Sequence, residues 1–209
     1  MTAALPLSGR VAIVTGAGRE DGRAIALALG AAGAAVVAVD LNPDAVQATA
    51  DAITALGGSA DAHTLDPAFK LAVQTMLYTV LEVRGRVDIL VNAAAFEPRA
   101  DALRLDEAEW NRTLDVNLKA AFLAAQTVAR ALKAQREAAG SAAPAGLILN
   151  LLRSGAAAPA AVQAARAGLA ALTEALAAEW AAHGVQVAAL PSGPEAAAQA
   201  VARAQAVWP

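Results

Sequence analysis

The sequence predicts an α/β protein, a three-layer sandwich in which one parallel sheet of about six strands carries helices on both faces. Two observations lead there. Short apolar or β-branched runs alternate along the chain with longer segments of 3.6-residue periodicity. Those short runs also lack polar alternation, as expected of strands covered on both sides. A chain of 209 residues fits one domain, residues 1–209, and is long enough to hide about 70% of its unfolded surface.

The expected strands are VAIVTG (11–16), AVVAVD (35–40), SADAHTLD (59–66), VDILVN (87–92), GLILNLL (146–152) and VQVAAL (185–190). The apolar stretch 24–39 is interrupted by Gly30 and Gly33, so it reads as helix, turn and strand rather than a membrane span. DEAEWNRTLDVNLKAAFLAAQTVARALKAQREAA supplies a long helix before the fifth strand, and PAAVQAARAGLAALTEALAAEW supplies the next. Between them GSAAPAG, 140–146, reads as a surface loop. No internal repeat or second domain is evident.

Composition narrows the function. Hydrophobic residues make up 57% of the chain and aromatics 3%, so the core rests on close packing of Ala, Val and Leu. The net charge is −3, with no basic run, which argues against nucleic acid or an anionic membrane as partner. There is no cysteine, and His63 and His183 have no ligand-spaced companion, so no metal site is expected. MTAALPLSGRVAIV lacks the pattern of a secretory signal, and the expectation is a cytoplasmic protein.

VAIVTGAGREDGRAIALALG runs from a strand into a helix, the context in which a glycine loop cradles a pyrophosphate at a helix N-terminus. The loop supplies Gly16, Gly18 and Gly22, small residues where a backbone must approach a phosphate. It also carries Glu20 and Asp21, two carboxylates beside a site suited to an anion. An unscreened like charge at about 4 Å costs on the order of 1 kcal/mol in water and more in a drier site.

These residues resemble the short-chain dehydrogenase/reductase family, whose first turn reads TGxxxGxG. Thr15, Gly16 and Gly22 match it, while Glu20 stands where the family has a glycine. DILVNAAA (88–95) is similar to the family's DxLVNNAG, and the matches extend over residues 7–193. The resemblance implies a Rossmann-like doubly wound sheet and NAD(H) as cofactor, with binding weakened or lost. By the same resemblance Asp40 accepts the adenosine ribose hydroxyls and favours NAD over NADP, Asp66 contacts adenine, Asn92 belongs to the cofactor site, and Asn117 supports a catalytic water relay. Each also has a purely structural explanation: Asp40 and Asp66 as caps, Asn117 as a helix-kink residue bonded to neighbouring backbone.

The family's chemistry uses a serine after the fifth strand and a YxxxK pair on the following helix. Aligning that helix puts Val162 at the tyrosine and Arg166 at the lysine. Valine has no proton to give. Arg166 keeps a charge that suits a ribose or phosphate, but guanidinium stays protonated and cannot shuttle a proton. The strand end reads Asn150-Leu151-Leu152-Arg153, with Ser154 one place beyond the family's serine, and the connection onward is about four residues shorter than usual in the family. Ser154 and a remnant Asn117 are therefore the catalytic candidates.

The leading expectation is a catalytically degenerate family member acting as a structural or regulatory subunit. Two others compete: an NAD(H)-dependent oxidoreductase for carbonyl or alcohol substrates with an unusual proton relay, and an NAD(H) sensor without turnover. After ALPSGPE the sequence gives one helix-like segment, AAAQAVARAQAVW, and the sixth strand is expected to lie at the sheet edge. In this family the fourth and fifth helices commonly form a dimer face, and Leu169, Leu172, Leu176 and Trp180 recur at helical spacing. They imply either a homo-oligomer or pairing with an active paralogue, or simple packing on the sheet.

Overall fold

The structure is a computed structural model and describes residues 4–18, 20–140, 144–153 and 158–208. Six parallel strands form one sheet in the order β3-β2-β1-β4-β5-β6. They are β1 Val11–Thr15, β2 Ala35–Asp40, β3 Ser59–Thr64, β4 Ile89–Asn92, β5 Gly146–Leu152 and β6 Val185–Pro191. The helices are α1 Glu20–Ala31, α2 Pro43–Ala55, α3 Lys70–Arg84, α4 Glu107–Leu114, α5 Ala120–Ala138, α6 Ala160–Trp180 and α7 Ala196–Val207.

Successive strand residues point to opposite faces and so feed two cores. Ala12, Val14, Val36, Ile89, Val91 and Leu149 pack with Ile25, Leu29 and Ile53 of α1 and α2. Val11, Ile13, Val37, Leu90 and Ile148 pack with Val73 and Leu77 of α3, Val128 of α5 and Leu176 of α6. This explains the unbroken apolar runs: in β1 every residue is buried. The edge strands, which pair on one side only, are less covered: β3 is exposed or half-buried throughout, and β6 is buried at Val185, Val187 and Leu190 alone.

The strand order reverses between β1 and β4, where Thr15 sits opposite Asn92. A crevice at the carboxyl ends of the strands is expected at such a switch point. β6 is the opposite edge among the described residues. α7 does not cover that edge. Its Ala196, Ala200, Ala204 and Val207 enter the core beside α1, and the Arg10 guanidinium lies 4.5 Å from the Trp208 ring centre.

The long helix after β4 is interrupted. Between α4 and α5 residues Asp115–Lys119 form one π-helical turn, in which the Ala120 N–H donates to the Asp115 carbonyl. α6 crosses this turn closely: a Cβ on Gly168 would lie 3.0 Å from Leu118. On α6, Leu169 and Leu176 are buried, while Leu172 and Trp180 are half-buried against the second core, so much of the apolar stripe serves the sheet. No described helix is long and apolar enough to cross a membrane.

At the end of the sheet away from the crevice, Asp88 is 1% exposed and fully engaged. It accepts from the Val11 N–H at 2.9 Å, from Arg86 at 2.6 and 2.8 Å and from Arg10 at 3.2 Å. The Asp88 bond raises the Arg86 pKa above its ordinary value against the opposing effect of burial.

Candidate functional site

The loop from β1 to α1 is shaped by contacts that only glycine permits. Gly16 has a φ of +69°, and a Cβ there would meet the Ala93 carbonyl at 2.6 Å. At Gly22 a Cβ would come within 2.1 Å of the Gly16 carbonyl oxygen, so α1 can pack this tightly on the loop only without a side chain. Gly18 leaves room for Asp40, whose Oδ2 accepts the Gly18 N–H at 2.9 Å. The other Asp40 oxygen accepts the Asn42 N–H at 3.0 Å.

Gly16 and Asp40 border a cavity of about 410 Å³, lined also by Asp66, Pro67 and the stretch from Ala93 to Glu97. That volume lies in the range of small-molecule and cofactor pockets. Asp66 accepts the Ala68 N–H at 2.9 Å and pairs with Arg112 of α4 at 2.7 Å. It therefore ties the rim of the cavity to α4; the expected capping role is not seen, since α3 starts at Lys70 with Phe69 at its N-cap and no side-chain cap bond.

Thr15 and Asn92 anchor the floor. Thr15 Oγ1 accepts the Ala93 and Ala94 N–H groups at 3.2 and 3.3 Å, which fixes the chain leaving β4. The Asn92 amide donates to Asn150 Oδ1 at 2.9 Å and to the Ala121 carbonyl at 3.3 Å. Asn150 in turn donates to Thr173 Oγ1 at 2.9 Å, and that hydroxyl donates to the Leu169 carbonyl at 2.6 Å. Asn92 thus lines the site but devotes its amide to joining β4, β5, α5 and α6.

Asn117, in the π-helical turn, does not bond to neighbouring helix backbone. Its Oδ1 accepts the Phe96 N–H at 2.7 Å and its Nδ2 donates to the Phe96 carbonyl at 2.8 Å. With one bond at each polar end, the side chain positions the segment after β4 and keeps a second N–H and a second oxygen lone pair beside the smaller pocket.

A second, smaller pocket adjoins the first and shares Ala94, Ala95, Val116 and Arg153 with it. Val162, 4% exposed, forms part of its wall, and Arg166 lines it as well. The structure therefore brings together Thr15, Asn92, Asn117, Val162 and Arg166 as the sequence leads one to expect. Ser154 lies outside the described residues. Tyr78, the only tyrosine in the sequence, is 64% exposed on α3. A hydrogen bond with Glu82 raises its pKa from the ordinary phenol value, the wrong direction for acid–base work near neutrality.

The two loop carboxylates separate. Asp21 turns away, accepting the Gly193 N–H at 3.2 Å. Glu20 lines the larger cavity with a φ of +52°, the only positive value at a described non-glycine residue, and its Oε2 lies 2.5 Å from Arg153 Nη2. This pair spans the opening between the start of α1 and the end of β5. Nothing local in the sequence signals it, since the partners are 133 residues apart. No group of three or more candidate metal ligands occurs among the described residues.

Residues 10–206 match the family model described as short chain dehydrogenase. Among relatives, D-threitol dehydrogenase of Mycolicibacterium smegmatis is 38% identical over 188 residues, spanning 87% of this chain and 68% of that protein. The 3-oxoacyl-acyl-carrier-protein reductase FabG of Escherichia coli is 34% identical over 179 residues, spanning 86% and 70%. A solved metagenomic short-chain oxidoreductase in complex with NADP superposes with a TM-score of 0.86 at 32% identity, covering 96% of this chain and 92% of that one. Sheet order, glycine loop and these matches agree: the chain belongs to the short-chain dehydrogenase/reductase family.

Proposed function

We propose that this chain binds a nicotinamide dinucleotide in the cleft at the ends of β1 and β4, as an oxidoreductase-family protein whose usual tyrosine–lysine relay is replaced by Val162 and Arg166. The observation that carries the binding is the cavity of about 410 Å³ bounded by Gly16, Asp40 and Asp66, beside a loop in which side chains are sterically barred at Gly16 and Gly22. A bound dinucleotide supplies a hydride donor or acceptor. The chain's own residues do the rest: the start of α1 faces the phosphates, and Asp40 accepts from the ribose. A carboxylate at that place repels a 2′-phosphate, which favours NAD(H); the related NADP complex makes NADPH the necessary comparison.

Two readings of turnover follow. In the first the protein is an NAD(H)-dependent oxidoreductase for a carbonyl or alcohol, taking its proton from water or Ser154. The names of its relatives, a dehydrogenase and a reductase, support this reading over the other. In the second it is a non-catalytic subunit or sensor, supported by Val162, a buried hydrocarbon where a proton donor is needed. In that role α5 and α6 would join it to a second copy or to an active paralogue, along a groove lined by Phe122, Gln126, Arg130, Leu176 and Trp180.

Titration of tryptophan fluorescence with NADH and NADPH tests binding, and loss of NADH absorbance with a range of aldehydes and ketones tests turnover. Absence of both NADH and NADPH binding at millimolar concentration refutes the proposal. Binding without turnover by the full chain, alone and in its native assembly, selects the second reading.

A further inference from the structure

The smaller pocket has an unusual charge balance. Its lining includes two guanidinium groups, Arg153 and Arg166, and no carboxylate; Ala95, Val116, Leu151, Val162 and Leu169 make much of the remaining wall. Arg166 is exposed and makes no ion pair or hydrogen bond with any described residue. Arg153 pairs with Glu20 but stands in both pockets. The space within the smaller pocket is about 30 Å³, and a water needs roughly 10–15 Å³ by this measure. It accepts a group of two or three heavy atoms, with the rest of a ligand extending into the larger cavity.

The geometry points to a subsite for a small organic carboxylate, held by Arg166 and Arg153 at the inner end of the cleft. The fork of a guanidinium matches the two oxygens of a carboxylate, a planar head suits the narrow space better than a tetrahedral phosphate, and the apolar wall gives the rest of a small organic acid a surface to pack on. Glu20 acts as an internal competitor: its carboxylate now takes the Arg153 Nη2 that an incoming carboxylate would use. Arg166 has donors enough to serve both a ribose hydroxyl and the ligand. The subsite rests on the dinucleotide reading for its place beside the nicotinamide, but its anion chemistry can be read separately.

The test uses the full chain, with 2-oxobutyrate as probe, butan-2-one as its uncharged counterpart and inorganic phosphate as competitor, by calorimetry with and without NADH. The expected result is 2-oxobutyrate bound about tenfold or more tighter than the ketone, as for a charge-assisted hydrogen bond. Arg166→Gln should bring the two within about twofold, and Arg166→Lys should keep part of the difference. Glu20→Gln, which frees Arg153, should tighten 2-oxobutyrate several-fold. Opposite shifts in the Gln variants distinguish a carboxylate subsite from loss of structure. Equal binding of acid and ketone, shifts of the same sign in Arg166→Gln and Glu20→Gln, or phosphate competing as well as the carboxylate overturns the inference. Loss of NADH binding alone refutes the dinucleotide reading and leaves the carboxylate result interpretable.

Discussion

Replacing Glu20 by glycine, the family's residue in this loop, should tighten dinucleotide binding. The side chain lines the cavity at the start of α1, where a diphosphate with about two negative charges would sit. At a separation of about 6 Å in water, each unit pair costs roughly 0.7 kcal/mol, so the like-charge penalty is about 1.4 kcal/mol, or tenfold in Kd. Stability should change little. Glycine removes left-handed strain of about 1–2 kcal/mol at a φ of +52°, but it adds backbone entropy to the unfolded chain. It also breaks the Arg153 pair, whose side chains are 30% and 55% exposed and which is worth at most about 1 kcal/mol. The assay is NADH titration of both proteins at low and physiological ionic strength. The advantage should shrink with salt as the Debye length falls from about 30 to about 8 Å. An unchanged or weaker Kd at low salt, in a variant with unaltered melting, refutes the reasoning.

Other outcomes follow from the same contacts. Asp40→Ala should weaken NADH at least about tenfold by removing a charged acceptor and narrow any preference over NADPH, as measured by parallel titrations. Asp88→Ala leaves the buried Val11 N–H unpaired, while the partly exposed Arg10 and Arg86 can turn to water; it should lose about 1–3 kcal/mol in urea unfolding. Asn117→Ala deletes both bonds to Phe96, costing about 1–3 kcal/mol, and should speed proteolytic nicking between β4 and α4. Val162→Tyr with Arg166→Lys restores the family pair at the price of overpacking worth about 1–3 kcal/mol; NADH-dependent carbonyl reduction by this variant should exceed that of the parent.

How much of this was legible in the sequence follows from how far each feature reaches. All six strands lie within about two residues of their expected ends, because a strand buried on both faces prints its burial as a local apolar run. SADAHTLD was read as a strand along with the apolar runs, and β3 occupies its first six residues although most of them are small or polar. The site residues fell into register through the family resemblance, which placed Asn92, Asn117, Val162 and Arg166 around one pocket. The Glu20–Arg153 pair, the turning of Asp21 to Gly193 and the grip of Asn117 on Phe96 join distant parts of the chain, and no periodicity records such pairings. The π-helical turn was hidden for another reason: Asp115–Lys119 lies inside one continuous helical segment, and no residue type there marks the single extra residue. The inward face of α7 was written in Ala196, Ala200 and Ala204, spaced at i, i+4 and i+8, but alanines this common carry little contrast.

The chain of bonds from Asn92 through Asn150 to Thr173 sets the rotation of α6 about its own axis. Thr173 and Arg166 are seven residues apart, two turns along and only about 20° apart in azimuth, so the fastening at Thr173 also aims Arg166, and Val162 one turn before it. Neither of those side chains takes part in the fastening. The holder and the tool are thus separate: what α6 presents to the pocket can be exchanged without loosening the bonds that orient it. That separation makes positions 162 and 166 natural places to install a different chemistry on an unchanged frame.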